Sequence, residues 1–165
     1  MSNTFGVLHT FRFDVVLQPL LLKGSSKPPT PITGSFSECT GLEGTMEQKV
    51  IKVGGRNYGA VQRPGQVTFA TVILKRGISP DAELAKWFYK IASGHYAERA
   101  NVQITLRGPP EAKGGTTPRN VLTYSLRNAL PVKFKAADFN ARAQDVGIEE
   151  LHLVHEGLTL GEKPA

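Results

Sequence analysis

The residue types that most often carry out chemistry are few in this chain and are poorly spaced for it. The 165 residues include one cysteine, Cys39, and four histidines, at positions 9, 95, 152 and 155. On a strand, the three-residue spacing of His152 and His155 places the two rings on opposite faces, which does not suit a shared metal ion. A single cysteine offers neither an internal disulfide nor metal-ligand spacing. The sequence therefore predicts no metal site and a small buried or half-buried side chain at Cys39.

Two further motifs resemble chemical sites, but each lacks a necessary part. The stretch Gly54–Gly59 is rich in glycine. No Gly-Lys-Ser/Thr follows it and no helix begins after it, so a phosphate would lack its helix N-terminus. Glu149 and Glu150 are adjacent acids, and on a strand they face opposite ways, so they cannot act together on one substrate atom. No serine lies in a nucleophile-elbow context. We therefore expect no catalytic residues, no cofactor and no enzymatic activity.

Composition and charge indicate an ordinary globular protein with a basic surface. The formal net charge is +6, and 40% of the residues are hydrophobic. The charges are spread without a block of like charges, which favours an acidic protein partner over specific nucleic-acid recognition. No apolar run reaches the roughly 20 residues that span a bilayer. The N-terminus lacks a basic region followed by an apolar stretch. We expect a protein without a membrane anchor that is cytoplasmic at synthesis.

Hydrophobic alternation predicts a single domain, residues 1–165, that is mostly β. A period of two residues is typical of strands with one buried face. In the last predicted strand the alternation slips at Glu149–Glu150, which indicates an irregularity. Proline- and glycine-rich stretches predict loop insertions at 18–34 and 108–120, and the tail 161–165 is predicted to be disordered. The predicted strands are 11–17, 35–40, 45–53, 66–75, 101–107, 121–126, 129–134 and 145–158.

One segment has the signals of an α-helix. Ser79 is a suitable N-cap, Pro80 suits the first helical position, and Asp81 places a negative charge in the first turn. Gly94 is a suitable stop. The apolar residues between them recur with helical spacing and predict a stripe that faces the core. The stripe consists of Leu84, Trp87, Phe88 and Ile91.

The predicted strands 45–53 and 66–75 flank a turn rich in glycine and proline, at 54–66. The first of these strands is largely polar on one side, which suits an exposed hairpin better than a core strand. The sequence therefore predicts an antiparallel β-barrel or sandwich with one packed α-helix and an extended β-hairpin arm.

Six short phrases stand out along the chain. They are Phe36–Leu42 (FSECTGL), Val53–Asn57 (VGGRN), Leu74–Gly77 (LKRG), Lys86–Phe88 (KWF), Asn128–Lys133 (NALPVK) and Val146–Leu158 (VGIEELHLVHEGL). Each phrase alone is weak, but together they resemble, in the same order, phrases of the tail tube protein family of contractile phages and contractile injection systems.

The resemblance implies an architectural role in an assembled particle. Members of this family form hexameric rings that stack into a hollow inner tube, which a contracting sheath drives into a target. The implied partners are copies of the chain itself, the sheath, the baseplate or spike hub, neighbouring tube proteins and protein cargo in the lumen. Two alternatives stay open, namely a tube-initiating ring at the baseplate and, from another class, a monomeric β-barrel that binds a small ligand.

If copies of the chain close into a ring by pairing the edges of their sheets, the arm would form contacts between copies. An open sheet presents unpaired backbone groups, and pairing them around an axis gives a head-to-tail interface. Charged and polar residues along the arm would then be the contact residues. They are Glu43, Glu47, Lys49, Lys52, Arg56, Asn57 and Arg63.

Overall fold

The computed structural model describes residues 12–20, 30–108, 119–139 and 146–161, which form ten strands and one helix. The mostly β class with one helix is confirmed. In chain order the elements are β1 (Phe13–Pro19), β2 (Ile32–Gly34), β3 (Glu38–Thr40), β4 (Gly44–Ile51), β5 (Val61–Phe69), β6 (Val72–Gly77), α1 (Glu83–Ala92), β7 (Ala100–Gly108), β8 (Arg119–Lys135), β9 (Ile148–Val154) and β10 (Gly157–Leu160).

The strands divide into a large sheet, which we call the body together with α1, and a separate hairpin, which we call the arm. The large sheet is antiparallel in the order β2-β1-β7-β8-β9-β6-β3, and β10 also pairs with β8. The arm consists of β4 and β5 alone. The edge strands β2 and β3 are joined through residues 35–37 and are not paired with each other. The sheet is therefore open, and the closed-barrel form of the prediction is not observed.

Both halves of the sheet and the helix contribute to one hydrophobic core. Alternate residues of β1, β6, β7, β8 and β9 point into it, and Leu17, Leu74 and Leu126 are fully buried. Burying such a side chain contributes about 1.5–3 kcal/mol. The residues of the core cluster are Val15, Leu17, Phe36, Val72, Leu74, Leu84, Trp87, Ile91, Ala100, Val102, Ile104, Leu126, Ala129, Leu151 and Leu153.

A buried ion pair lies beside this core, and no local pattern in the sequence predicts it. Arg76 and Glu149 are cross-strand partners on β6 and β9, with 2.5 Å between Nε and Oε1 and side chains 5% exposed. The Arg76 guanidinium lies 5.7 Å from the ring centre of Phe36, in the segment that joins β2 to β3. The pair therefore ties the crossing segment to the sheet.

The helix begins three residues later than predicted. Ser79, Pro80 and Asp81 form a turn before it, in which the Asp81 backbone N–H donates to Ser79 Oγ at 3.4 Å. Ala82, with φ of 48°, occupies the N-cap without a side-chain hydrogen bond. The first-turn acid is therefore Glu83, and the predicted cap and first position are wrong.

The helix core stripe and the helix end agree with the sequence. Leu84, Trp87 and Ile91 are buried. Phe88 is half-buried and packs against Phe134, with 6.3 Å between ring centres. Gly94 follows the last turn with φ of 114°, a conformation that glycine adopts without strain.

The predicted strand 66–75 is broken between β5 and β6. The Ala70 backbone N–H donates to the Glu43 carbonyl at 3.1 Å, and Ala70 and Thr71 belong to neither strand. This break lets the chain leave the arm and enter the body. The turn of the arm is correspondingly shorter than 54–66, because β5 already begins at Val61.

The strand predictions near the C-terminus need two corrections. The segments 121–126 and 129–134 are one strand, β8, which passes through Asn128 at φ of 58°. The segment 145–158 is two strands, with the interruption at His155–Glu156 and not at Glu149–Glu150. Glu149 and Glu150 instead pair regularly with β6, and the register shift lies on β8 between Pro131 and Lys133.

The two predicted loop insertions are also narrower than expected. Gln18 and Pro19 belong to β1, and 32–34 form β2, which pairs with β1. Gly108 ends β7, and 119–120 begin β8. The remaining parts of these insertions, 21–29 and 109–118, and most of the predicted tail lie outside the described residues. Gly161 is tied to the body, because its N–H donates to the Thr123 carbonyl at 2.8 Å.

Candidate assembly interface

The arm is a regular hairpin with one irregularity in its register. β4 and β5 pair from Gly44–Phe69 to Ile51–Val61, and the register shifts after Met46. A Cβ at Gly65, beside this shift, would lie 2.6 Å from the Glu47 carbonyl oxygen, so the close approach of the two strands requires glycine there. All eight residues of β4 are exposed. The body of the same chain therefore leaves the arm uncovered.

The root of the arm is held to the body at defined points. Gly41 has φ of 85°, and a Cβ there would collide with the Thr71 backbone. The Phe69 ring packs on His155, with 5.1 Å between ring centres. Burial lowers the pKa of His155, whose Nδ1 lies 3.0 Å from the Gly157 carbonyl oxygen. These contacts fix the direction in which the arm leaves the sheet.

One face of the arm carries an exposed apolar stripe. Cross-strand partners lie on the same face, so the Met46–Val67 pair and Val50 share a face. Met46 is 57% exposed, Val50 is 50% exposed and Val67 is 42% exposed. Gln48 lies between Met46 and Val50 on this face, opposite Pro64. Exposed apolar side chains grouped on one face mark interaction surfaces. We call Met46, Val50 and Val67 the arm stripe.

The opposite face of the arm is charged, and its charges are not paired with each other. Glu47 and Lys49 alternate with the arm stripe along β4, and Lys49 lies directly opposite Arg63 on β5. Like charges in directly opposed positions destabilise a strand pair. No ion pair forms at Lys49 or Arg63 within the described part of the chain. This face is therefore suited to an acidic partner.

The residues predicted as ring contacts all lie on or beside the arm. Glu43 precedes β4 at the root, while Lys52 and the Gly-rich turn lie at the tip. In the turn, Arg56 Nε donates to the Tyr58 carbonyl at 3.2 Å. The structure thus places the set along one projection, and their role in contacts stays a prediction. In order along the chain they are Glu43, Glu47, Lys49, Lys52, Arg56, Asn57 and Arg63.

The polar side of this arm was predicted from the sequence, but the exposed apolar face on its other side was not. The signal was present, because Met46 and Val50 alternate with Glu47 and Lys49. In a core strand, that alternation would turn the apolar residues toward the protein interior. Here the same pattern turns them toward solvent.

The residues considered for chemistry do not converge on a site. Cys39 is half-buried as predicted, and burial raises the pKa of its thiol to about 11. Glu149 is buried against Arg76, whereas a hydrogen bond from His152 lowers the pKa of Glu150. Among the described residues, no group of three or more His, Cys, Asp or Glu side chains could hold a metal ion.

Within those same ranges, no helix is both long enough and apolar enough to cross a membrane.

Several solved structures are similar to this chain in fold. One is the cryo-EM structure of the anti-feeding prophage (AFP) baseplate, 6-fold symmetrised, with 25% identity, 97% of each chain covered and a TM-score of 0.72. Another is the PVC sheath-tube complex in the extended state, an extracellular contractile injection system, with 20% identity, 95% of this chain and 93% of that chain covered and a TM-score of 0.71. Hcp1 from Flavobacterium johnsoniae is more distant, with 11% identity, 90% and 94% coverage and a TM-score of 0.52.

The sequence itself matches a family model over nearly its whole length. No curated protein matches the chain significantly. The model of the T4-like virus tail tube protein gp19 family matches residues 9–159, which include the whole arm and all of the body strands except Leu160, the last residue of β10. The chain therefore belongs to the T4-like virus tail tube protein gp19 family.

Proposed function

We propose that this tail tube protein is a structural, non-enzymatic subunit whose copies close into hexameric rings, and that the rings stack into a hollow inner tube. Family membership and the six-fold symmetry named for the AFP structure support this arrangement. The observation that carries the proposal is the arm, a two-stranded sheet exposed along the whole of β4. An isolated two-stranded hairpin is marginally stable in water. Contact with neighbouring copies would complete it.

The two faces of the arm support different kinds of contact. The arm stripe offers apolar area, and each buried square ångström of such area contributes roughly 25 cal/mol. The opposed Lys49 and Arg63 offer positive charge, which gives specificity and orientation more than affinity. A hairpin with both properties suits a directed, head-to-tail contact.

The other proposed partners follow from the particles in which similar chains occur. The matched structures include a sheath-tube complex and a baseplate. We infer that this chain contacts a sheath protein and baseplate or hub proteins as well as itself, and that it is made in the cytoplasm before assembly.

Shortening the arm tests the assembly role directly. Replacing residues 49–62 by a two-residue turn removes the distal arm and leaves the body core intact. We expect a folded protein that forms no tubes by negative-stain electron microscopy. A matched control, Tyr96→Ser, removes a body side chain that is 71% exposed and should leave tubes intact. Normal tubes from the shortened chain would contradict the role of the arm.

A baseplate-proximal initiator ring is the second candidate, because one matched structure is a baseplate. A polymerisation assay with the purified chain separates the two, since a main tube protein makes long tubes and an initiator makes only rings or short stacks. A folded protein that stays a monomer at high concentration would contradict both and would favour a small-ligand-binding module.

A further inference from the structure

His155 lies where the arm joins the body, in the short connection between β9 and β10. Its ring packs on Phe69, the last residue of β5, with 5.1 Å between ring centres. Phe69 is in turn the cross-strand partner of Gly44, the first residue of β4. A change at the His155 ring therefore acts on the point where both strands of the arm meet the body.

The hydrogen bonding of the ring fixes its protonation state. A carbonyl oxygen can only accept, so Nδ1 carries a proton and donates it to the Gly157 carbonyl at 3.0 Å. In a neutral imidazole the other nitrogen, Nε2, then carries no hydrogen. Nε2 is fully buried and has no hydrogen-bond partner among the described residues. The arm root therefore accommodates a neutral ring and offers no acceptor for a second N–H.

Charged side chains on the neighbouring segments do not compensate for a second proton. They are Glu43 before β4, Arg127 on β8 and Glu156, which follows His155 in the chain. The Glu156 carboxylate is held by Arg99, at 3.0 Å, and by Asn128, at 2.6 Å. Within the described part of the chain, no hydrogen bond or ion pair joins any of these charged groups to the His155 ring.

The strands that flank the ring offer no counter-charge either. β10 contains no charged residue. The charge on β5, at Arg63, lies about 20 Å along the strand from Phe69. On β9, His152 and Glu150 bond to each other. A positive charge on His155 would therefore be both buried and unpaired.

We propose that His155 is an acid-sensitive latch at the arm root, which holds the arm in its fixed direction while the ring is neutral and releases it on protonation. A buried, charged donor without an acceptor is strongly unfavourable, so the protonated ring turns out into water. Phe69 then loses its aromatic contact. The latch is a property of the single subunit, whereas its effect on tubes rests on the proposed assembly role of the arm.

The direction of the pH effect follows from the surroundings of the ring. Burial is the larger influence and lowers the pKa of His155 below its ordinary value of 6.5, while the hydrogen bond to Gly157 opposes this. In the released state the ring lies in water and takes up its proton near the ordinary pKa. The arm should therefore be held above pH 6.5 and be released progressively as the pH falls below it.

Hydrogen–deuterium exchange of the full-length chain, diluted until it is unassembled, measures the latch. The reporter is the Ala70 amide, whose hydrogen bond to the Glu43 carbonyl closes the arm root. After correction for the intrinsic exchange rate, its protection should fall by about 3- to 30-fold between about pH 7.5 and about pH 5. The upper figure is the limit for a group whose pKa in the released state is 6.5. At both pH values Ala70 should exchange faster than Val102 in the buried centre of the body, and equal rates would overturn the latch.

Two variants and a matched control assign the effect to His155. His155→Phe keeps a ring against Phe69 and takes up no proton, so its Ala70 protection should be the same at both pH values. His155→Asn places an amide N–H near the position of Nδ1 and serves the same purpose if phenylalanine impairs folding. His95→Phe removes an exposed histidine after α1 and should keep the full pH effect. An unchanged pH effect in the His155 variants, or none in the unaltered chain, would overturn the proposal.

Sedimentation of tubes separates the latch from the proposed function. The unaltered chain should give at least about threefold fewer tubes at about pH 5 than at about pH 7.5, whereas His155→Phe should give equal yields. Equal yields from the unaltered chain would overturn the role of the latch in assembly and leave the tube role standing. If no chain forms tubes at either pH, the proposed function is wrong, and the exchange of Ala70 still decides whether the latch exists.

Discussion

The body and the arm use the same kind of strand in opposite ways. In β6 of the body, alternate residues Val72, Leu74 and Arg76 are buried, so one face is hidden by the chain itself. In β4 of the arm, alternation is equally clear, yet no residue is buried. The strands of the body therefore bury one face within the described part of the chain, whereas none of the described residues covers β4 of the arm.

The charges in the two regions show the same difference. Across β6 and β9, Arg76 meets Glu149 in a buried pair of opposite charges. Across β4 and β5, Lys49 meets Arg63, and both are exposed. A buried pair must be satisfied inside the fold, because desolvated charge is costly. The exposed like-charged pair destabilises the subunit only slightly in water, and both side chains remain available to an acidic partner.

The largest effect on the free subunit should come from breaking the buried pair. Glu149→Ala leaves the Arg76 guanidinium desolvated without its counter-charge, and we expect a loss of about 3–5 kcal/mol in the free energy of unfolding. Urea unfolding followed by circular dichroism measures it. The double variant Arg76→Met, Glu149→Leu should recover most of the loss, because it removes both charges and keeps apolar volume. A loss below about 1 kcal/mol for Glu149→Ala would mean that water reaches the pair.

The next effect distinguishes two glycines with similar backbones, one at the arm root and one at the arm tip. Gly41→Ala combines left-handed backbone, at φ of 85°, with a collision against Thr71. Gly55→Ala has φ of 79° and nothing near the added Cβ. Left-handed backbone costs a non-glycine residue about 1–2 kcal/mol. We expect Gly41→Ala to lower the free energy of unfolding by clearly more than this backbone cost, because the collision adds to it. Gly55→Ala should lower the free energy of unfolding by no more than the backbone cost alone. Equal losses would show that the root can relax.

The body shows how much of this fold the sequence determines locally. The helix stripe Leu84, Trp87 and Ile91 and the strand containing Val102 could be predicted because each obeys one period and one face. The start of the helix was missed because Ser79 and Pro80 also satisfy the rules of a turn. The sequence around Gln66–Lys75 alternates without interruption, so the break at Ala70 follows from a hydrogen bond to Glu43, which is distant in the sequence.

The candidate interface was predictable only in part, for a related reason. Charge and glycine content pointed to the arm and its polar residues. The body also has a cleft of about 360 Å³ between the β3 segment and strands β1, β7 and β8. Its position is set by strand pairing over long sequence distances. Cys39 was correctly predicted as half-buried, but no local pattern places it in the wall of a cleft.

A smaller, pH-dependent effect should appear at the arm root. Burial lowers the pKa of His155 below its ordinary value of 6.5, so the unfolded chain takes up the proton first as the pH falls. The stability from neutral His155 is therefore full above pH 6.5 and is lost as the pH falls from there through the folded pKa. His155→Phe keeps an aromatic ring against Phe69, and its unfolding midpoint should vary less with pH in this window. Identical pH profiles would show that His155 does not contribute.

The smallest effect on stability should accompany a large effect on assembly. Lys49→Glu converts the like-charged pair with Arg63 into a cross-strand pair of opposite charge, which should stabilise the free subunit by about 0.2–1 kcal/mol. The same change removes positive charge from the face that we assign to an acidic partner, so tube formation should weaken. Thermal unfolding and a sedimentation assay for tubes measure the two quantities on one sample. The control Lys86→Glu makes the same charge change on the exposed side of α1 and should leave tube yield nearer to that of the unaltered chain. A gain in stability together with a loss of assembly is expected only if Lys49 serves contact between copies. A loss of both stability and assembly would instead show that Lys49 stabilises the fold of its own subunit.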